Sequence, residues 1–186
     1  MNHVIELDTN ILIESTKRLW AKFIDTEFEY LKGAAIIDHI THEGDELIEI
    51  HKQVPWVTGK IGFIALEPGG TCWIHKDRHD GSYYQRSLNI ILESDGDNHT
   101  TRYYDYLPGN WDESKNLYDG PLSDIKLKFE FTLKKPTVFF NQDFHDVYNY
   151  GTKRRVTALW LIDPKITDQD IFDWCTENNI PHRVLL

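Results

Sequence analysis

The feature that most constrains this chain is a run of eight short strand-like segments between residues 60 and 162, with no helical periodicity separating them. Residues 61–66 (IGFIAL) end at EPGG, a turn signal. Residues 71–76 (TCWIHK), 85–92 (QRSLNIIL) and 100–106 (TTRYYDY) follow. Then come 125–133, 137–140 (TVFF), 145–150 (HDVYNY) and 155–162 (RVTALWLI). In 125–133, Ile125, Leu127, Phe129, Phe131 and Leu133 alternate with Lys126, Lys128, Glu130 and Thr132. That is the period of two of a strand with one buried and one wet face. Parallel β/α architectures need crossover helices, so the pattern predicts an antiparallel sandwich or jelly roll. The acidic stretch 107–124, with its Gly, Pro and Asn, is too irregular for core structure. It is expected to form a loop that closes over a site when substrate binds.

Helices are expected only at the flanks. Leu12, Leu19, Trp20, Phe23, Ile24, Phe28 and Leu31 have helical spacing over 11–31, and Gly33 is a stop. Thr167 followed by Asp170 forms a capping box before IFDWCTENN, and Pro181 ends that second helix. A chain of 186 residues is long enough for one well-buried core. The expectation is therefore a single mainly β domain over 1–186. Its jelly-roll core spans about 60–162, with helical or strand support in 1–59 and a C-terminal helix in 163–186.

Charge and cysteine usage restrict the partners. With 20 Lys and Arg against 30 Asp and Glu, the formal net charge is -10, which disfavours phosphate backbones and anionic membranes. No stretch reaches the roughly 18 apolar residues of a membrane span. The N-terminus, MNHVIELDTN, lacks the basic and apolar regions of a secretion signal. Cys72 and Cys175 have no metal-knuckle or CxxC spacing and suit a reducing compartment. A cytoplasmic protein with neither nucleic-acid nor membrane partners is expected.

Against this background, His75-Lys76-Asp77 stands where the second strand runs out, and His145 opens the seventh. Two imidazoles and a carboxylate on one face of an octahedral ion leave three positions open, the facial triad of non-haem Fe(II) oxygenases. With 9 His and 18 Asp in the chain, chance supplies about one His-x-Asp triplet, so the triplet alone proves nothing. Its position adds weight, because a jelly roll makes distant strands neighbours. His79, Asp80 and His99 are competing ligands.

An anion site is suggested by Arg155, ten residues after His145, and Thr157, which shares its strand face. A guanidinium can grip a carboxylate bidentately while the hydroxyl adds a hydrogen bond. Arg154 would face the other way, with Val156, Ala158 and Trp160. The plainer reading makes Lys153-Arg154-Arg155 a solvated turn. Arg86 shares a face with Leu88, Ile90 and Leu92 and needs an anion partner if it points inward. It either contacts an oxo acid or a substrate, or marks an exposed strand end. Trp73, Tyr83, Tyr84, Tyr103 and Tyr104 are candidates for a pocket lining or for core.

These segments resemble a known family. IALEPGGTCWIHKD, RSLNIIL and PTVFFNQDFHDVYNYGTKRRVTALWLID together resemble the aspartyl/asparaginyl β-hydroxylase-like and proline-hydroxylase-like branches of the 2-oxoglutarate/Fe(II) oxygenases. The matching features are Pro68-Gly69, His75, Arg86, Phe139-Phe140, His145, Val147, Asn149 and Arg155, over about residues 60–162. Asp77 supplies a carboxylate that the founding aspartyl hydroxylases lack, which is closer to the proline hydroxylases. The resemblance implies a double-stranded β-helix holding Fe(II) through His75, Asp77 and His145. It also implies 2-oxoglutarate anchored by Arg155 and Thr157, with O2 and a small-molecule or peptidyl substrate. Hydroxylation would accompany release of succinate and CO2. A cupin-like metal or small-molecule binding module without redox chemistry is the alternative.

Overall fold

A computed structural model of the chain describes residues 3–23, 34–41, 45–79, 82–83, 85–105, 111–112, 117–118 and 120–186. The N-terminal portion contains β1 (Ile5–Leu7), α1 (Ile13–Trp20), β2 (Ala34–Thr41) and α2 (Asp45–Gln53). The central portion contains β3 (Val57–Leu66), β4 (Thr71–His75), β5 (Arg78–His79), β6 (Ser82–Tyr83), β7 (Arg86–Glu93) and β8 (His99–Tyr104). After these come β9 (Trp111–Asp112), β10 (Leu117–Tyr118), β11 (Leu127–Phe131), β12 (Thr137–Phe140), β13 (His145–Asn149) and β14 (Arg155–Ile162). The chain finishes with α3 (Asp168–Glu177) and β15 (His182–Val184).

A major sheet has the order β15-β1-β12-β7-β14-β3-β2, and a minor sheet the order β11-β8-β13-β4-β10-β9. Neighbours are antiparallel throughout both. Along the chain, β3, β7, β12 and β14 go to the major sheet, while β4, β8, β11 and β13 go to the minor one. This alternation is the double-stranded β-helix, and it makes neighbours of strands far apart in sequence.

Both faces of the major sheet are covered, for different reasons. One face carries Ile61, Phe63, Ala65, Leu88, Ile90, Val156, Ala158 and Trp160. These pack with Leu19 and Trp20 of α1, Ile50 of α2, and Ile171, Trp174 and Cys175 of α3. Burying each such large side chain contributes about 1.5–3 kcal/mol, so the main core lies outside the β-helix rather than within it. Trp160, fully buried, donates its indole N–H to Thr16 Oγ1 at 3.0 Å and pins β14 to α1. The other face points between the sheets and bears Ile64, Asn89, Phe139, Arg155, Thr157 and Leu159.

Several boundaries differ from expectation. The first helix covers Ile13–Trp20, and the remainder of the expected 11–31 span, with Gly33, lies outside the described residues beyond Phe23. β3 begins at Val57 rather than 61, because Trp56 and Val57 join the helix-packed core. The strand expected over 125–133 shrinks to Leu127–Phe131, and Leu127 is 46% exposed. A bulge between Leu127 and Phe129, opposite Tyr104 and Tyr103, breaks the alternation. The stretch 107–124 also departs from a plain loop. It contributes β9, β10 and a 3-10 turn at Leu122–Asp124. Tyr118 and Trp111 join Ile74, Tyr104 and Phe144 in a small second core. Residues 106–110, 113–116 and 119 lie outside the described residues.

The capping box is formed as expected. Thr167 Oγ1 accepts from the Asp170 N–H, and the Asp170 carboxylate accepts from the Thr167 N–H at 2.7 Å. Thr167→Ala should therefore lower the unfolding free energy by about 1 kcal/mol. Urea denaturation should show a lower midpoint with an unchanged slope.

Candidate metal centre

Register brings the three ligand candidates together. His145 on β13 faces His75 on β4 across one side of the ladder and Tyr103 on β8 across the other. A bulge on β4 makes this possible. His75 and Cys72 are three residues apart, yet they face His145 and Val147, which are two apart. Strict alternation would send those two β4 side chains to opposite faces, and the extra residue re-aims His75. The two imidazole centroids stand 4.5 Å apart.

Asp77 follows the strand end. Its N–H donates to the Asn141 carbonyl at 3.1 Å, which fixes the turn beside β12. Its Oδ1 lies 3.1 Å from His75 Nε2 and 3.7 Å from His145 Nε2. Cis ligands about 2.1 Å from an ion stand about 3 Å apart, so these spacings suit one octahedral centre. Each histidine presents Nε2 for a reason. His75 Nδ1 bonds the Trp73 carbonyl, and His145 Nδ1 bonds that of Asp143 at 2.9 Å. Donation at Nδ1 leaves a lone pair on Nε2, the tautomer that a metal requires.

Electrostatics separate the two rings. Burial disfavours a charge on His75, but the Cys72 sulfur and the Asp77 carboxylate outweigh it and hold the pKa well above the usual histidine value. Burial, followed by the neighbouring His75, lowers that of His145.

The cavity between the sheets extends from this triad to Arg155 and Thr157 on β14. Arg155 is 2% exposed, and no carboxylate pairs with it among the described residues. Burial lowers its pKa to about 10, so it keeps its charge at neutral pH. Its Nε and Thr157 Oγ1 both lack hydrogen-bond partners. Arg154 points the other way, to Glu93 at 2.8–3.0 Å and over the Trp20 ring.

Not every candidate is found here. Arg86 does not line the cavity. Its Nε donates to Asp168 Oδ1 at 2.8 Å, and a terminal nitrogen donates to the Ile166 carbonyl. The face it shares with Leu88 and Ile90 meets the helices, so its anion partner is the first residue of α3. That corrects the expectation of a contact with an oxo acid or substrate. His99 Nε2 bonds the Leu133 carbonyl at 3.0 Å, away from the triad. Asp80, Tyr84 and the side chains of His79 and Tyr83 lie outside what is described. Tyr104 lies in the small second core and donates to Asp146, whereas Tyr103 packs on His145. Asn89 lines the cavity although the sequence pattern does not single it out as a site residue. Ser87 and Asn89 alternating with Leu88 and Ile90 was the available signal, since the polar parity marks the inner wall.

No family model matches the sequence, and no curated protein does. Among solved structures, a prolyl-4-hydroxylase of Pseudomonas putida is similar over 86% of this chain and 92% of its own, at 15% identity and a TM-score of 0.49. An oxalate oxidase in complex with glycolate is similar over 74% of this chain at 13% identity and a TM-score of 0.42. This chain spans about half the length of that oxidase, 54% of it. An oxalate decarboxylase of Lactobacillus farciminis is similar over 82% of this chain and 36% of its own, at 10% identity and a TM-score of 0.41. Identities of this order leave the chemistry to be read from this chain's own side chains.

Two outcomes follow for metal binding. Asp77→Ala should reduce Co(II) or Fe(II) retention at least tenfold while the fold survives, because the ligand lies beyond a strand end. Asp80→Ala should leave metal retention unchanged. Metal must displace the proton held on His75, so affinity should be full above its raised pKa and fall as pH drops through it. The loss should begin above pH 6.5, the ordinary histidine value, in a Co(II) titration followed by absorbance.

Proposed function

We propose that the protein is an Fe(II)- and 2-oxoglutarate-dependent oxygenase that hydroxylates an amino acid, a peptidyl side chain or a related small molecule, with succinate and CO2 as co-products. The observation that carries this reading is the buried, charged and unpaired Arg155 in the same cavity as the triad. A desolvated guanidinium without an anion is costly, so its position supports a ligand that brings negative charge between the sheets. A dicarboxylic oxo acid meets both demands, with one end at the ion and the other on Arg155.

His75, Asp77 and His145 would hold Fe(II) as a two-histidine, one-carboxylate set. When bound, the iron supplies O2 activation coupled to oxidative decarboxylation of the oxo acid. This chain's residues position and exclude. Arg155 would clamp the far carboxylate with two N–H donors while Thr157 adds a third. Ile64, Phe139, Val147 and Leu159 wall the passage and keep water from the reacting atoms. The Nδ1 anchors on the Trp73 and Asp143 carbonyls hold both imidazoles in their ligating tautomer.

A binding module without redox chemistry would use the triad but give Arg155 no task. Anaerobic addition of Fe(II) and 2-oxoglutarate separates the two, since only the oxygenase should develop a weak visible charge-transfer band. Stimulated succinate release in a screen of amino acids and peptides would then identify the substrate. Arg155→Ala should weaken 2-oxoglutarate binding by roughly thirty-fold or more, from the loss of one side of a buried charge pair. Fe(II) affinity should hardly change. Arg155→Lys should fall between, keeping charge but not the fork. Arg154→Ala should have little effect on the band, because Glu93 and Trp20 hold that side chain on the helix-covered face. Equal sensitivity at both positions would defeat the co-substrate assignment.

A further inference from the structure

On the major sheet, a chain of three buried polar side chains runs from the cavity towards Asp77. Asn89 lines the cavity, Ser87 shares its face of β7, and Asn141 follows the end of β12. Ser87 Oγ donates to Asn141 Oδ1 at 3.1 Å. Asn89 Nδ2 donates to Ser87 Oγ at 2.8 Å and to the Ser87 carbonyl at 3.3 Å. The contact with the carbonyl sets the direction of the whole chain. A backbone carbonyl only accepts, so the Asn89 atom beside it must carry hydrogen. The Ser87 hydroxyl then accepts from Asn89 and passes its own proton to Asn141. With both Nδ2 hydrogens spent on Ser87, the carboxamide of Asn89 has an acceptor left for the cavity. That atom, Oδ1, receives no hydrogen bond among the described residues.

Register gives the level of this acceptor. Ser87 pairs with Phe139, whose ring is 6.3 Å from that of Tyr103, the residue in register with His145. The Ser87 rung is therefore level with the candidate ligands, and Asn89 stands one rung deeper, beside Leu159. Arg155 is four residues further along β14, about 13 Å of strand. No neighbour at this level supplies a donor. An ionised Asp77 only accepts, and both imidazoles spend their Nδ1 hydrogens on carbonyls. The 2-oxoglutarate dianion carries no N–H or O–H. We infer that Asn89 is a specificity-determining residue for the substrate, its Oδ1 accepting from an ammonium or amide N–H. Ser87 and Asn141 are positioning residues that keep the acceptor turned inward. The inference rests on the oxygenase reading of the cavity. It narrows the substrate to a nitrogen-bearing molecule and disfavours hydrocarbons and simple carboxylic acids.

The test titrates anaerobic protein, loaded with Fe(II) and 2-oxoglutarate, with free amino acids and their N-acetyl amides. Binding is followed by the shift of the charge-transfer band. Each probe that binds is paired with the analogue in which its N–H is replaced by CH2, such as cyclopentanecarboxylate for L-proline. For an ammonium probe, the carbon analogue should bind about tenfold more weakly, the loss expected for one hydrogen bond to a charged group. In Asn89→Leu, which keeps the size and removes the acceptor, the two members of a pair should bind alike. Half-saturation by 2-oxoglutarate should stay at the wild-type value in that variant. Asn89→Asp keeps an acceptor and adds charge, so it should retain ammonium probes. Ser87→Ala frees the carboxamide to turn, and the ratio within a pair should shrink, which a merely structural hydroxyl would not cause. Should Asn89→Leu fail to fold in thermal melts, Asn89→Asp and Ser87→Ala carry the test. The inference is overturned if Asn89→Leu, or in its place Ser87→Ala, keeps the wild-type ratio. It is also overturned if Asn89→Leu weakens 2-oxoglutarate as much as the probe, or if 2-oxoglutarate binds and no nitrogen-bearing probe does. If wild type does not bind 2-oxoglutarate at all, the oxygenase reading falls and takes this inference with it.

Discussion

Everything in the site depends on β14 being buried on both faces. Its even-numbered residues, Val156, Ala158 and Trp160, belong to the core beneath the three helices, while Arg155, Thr157 and Leu159 look between the sheets. The helix-side packing is apolar and large enough to hold the strand whatever stands on its other side. That surplus lets the inner face carry a charge with no protein partner. A β-helix stabilised mainly from within would need an apolar interior and would have no room for Arg155. The division of labour between the faces is what makes a polar cavity compatible with a stable fold.

The same logic accounts for the two other arginines in this region. Arg86 and Arg154 both emerge on the helix-covered side of the major sheet, and both meet carboxylates there, Asp168 and Glu93. Each is used to tie the sheet to its cover. Arg155, one position from Arg154, differs only in parity, and parity decides whether a guanidinium joins the scaffold or faces the cavity between the sheets. Asp168 also accepts from His3 on its second oxygen at 2.8 Å, so the start of α3, β7 and the N-terminal segment meet at one carboxylate.

How much of this was legible in the sequence follows from which signals are local. Alternation and turn residues are local, and they revealed β3, β4, β7, β8, β11, β12, β13, β14 and the α3 cap. The facing of Arg154 and Arg155 could be read from parity alone. What parity could not say was which face of β7 meets helices, and so Arg86 was open between a ligand contact and an exposed strand end. β1 and β15 are three residues each and exist because they pair with each other, β1 pairing on its other side with β12, a contact between chain ends that no local pattern announces. Bulges are likewise invisible. The one after Leu127 undid the most regular alternation in the chain, and the one on β4 is the reason His75 points inward at all. The His-x-Asp triplet was thus readable as a candidate, whereas its geometry rests on an extra residue whose effect appears only when β4 meets β13.

The segment expected to be a loop bears on the same strand. β10 pairs with β4 through Leu117 opposite His75, the rung that His145 occupies on the other side. Its neighbour Tyr118 is buried and donates to the Pro121 carbonyl at 3.1 Å. His75 is therefore held in a ladder from both directions, by β13 and by β10, just where the bulge would otherwise leave the strand free to twist. A ligand at a strand end needs such support, since a loosely held imidazole loses the geometry that three-point coordination requires. The irregular composition of 107–124 concealed a short strand whose place beside β4 makes it part of the frame of the candidate metal centre. A shift of residues 117–118 would disturb His75 through the rung they share.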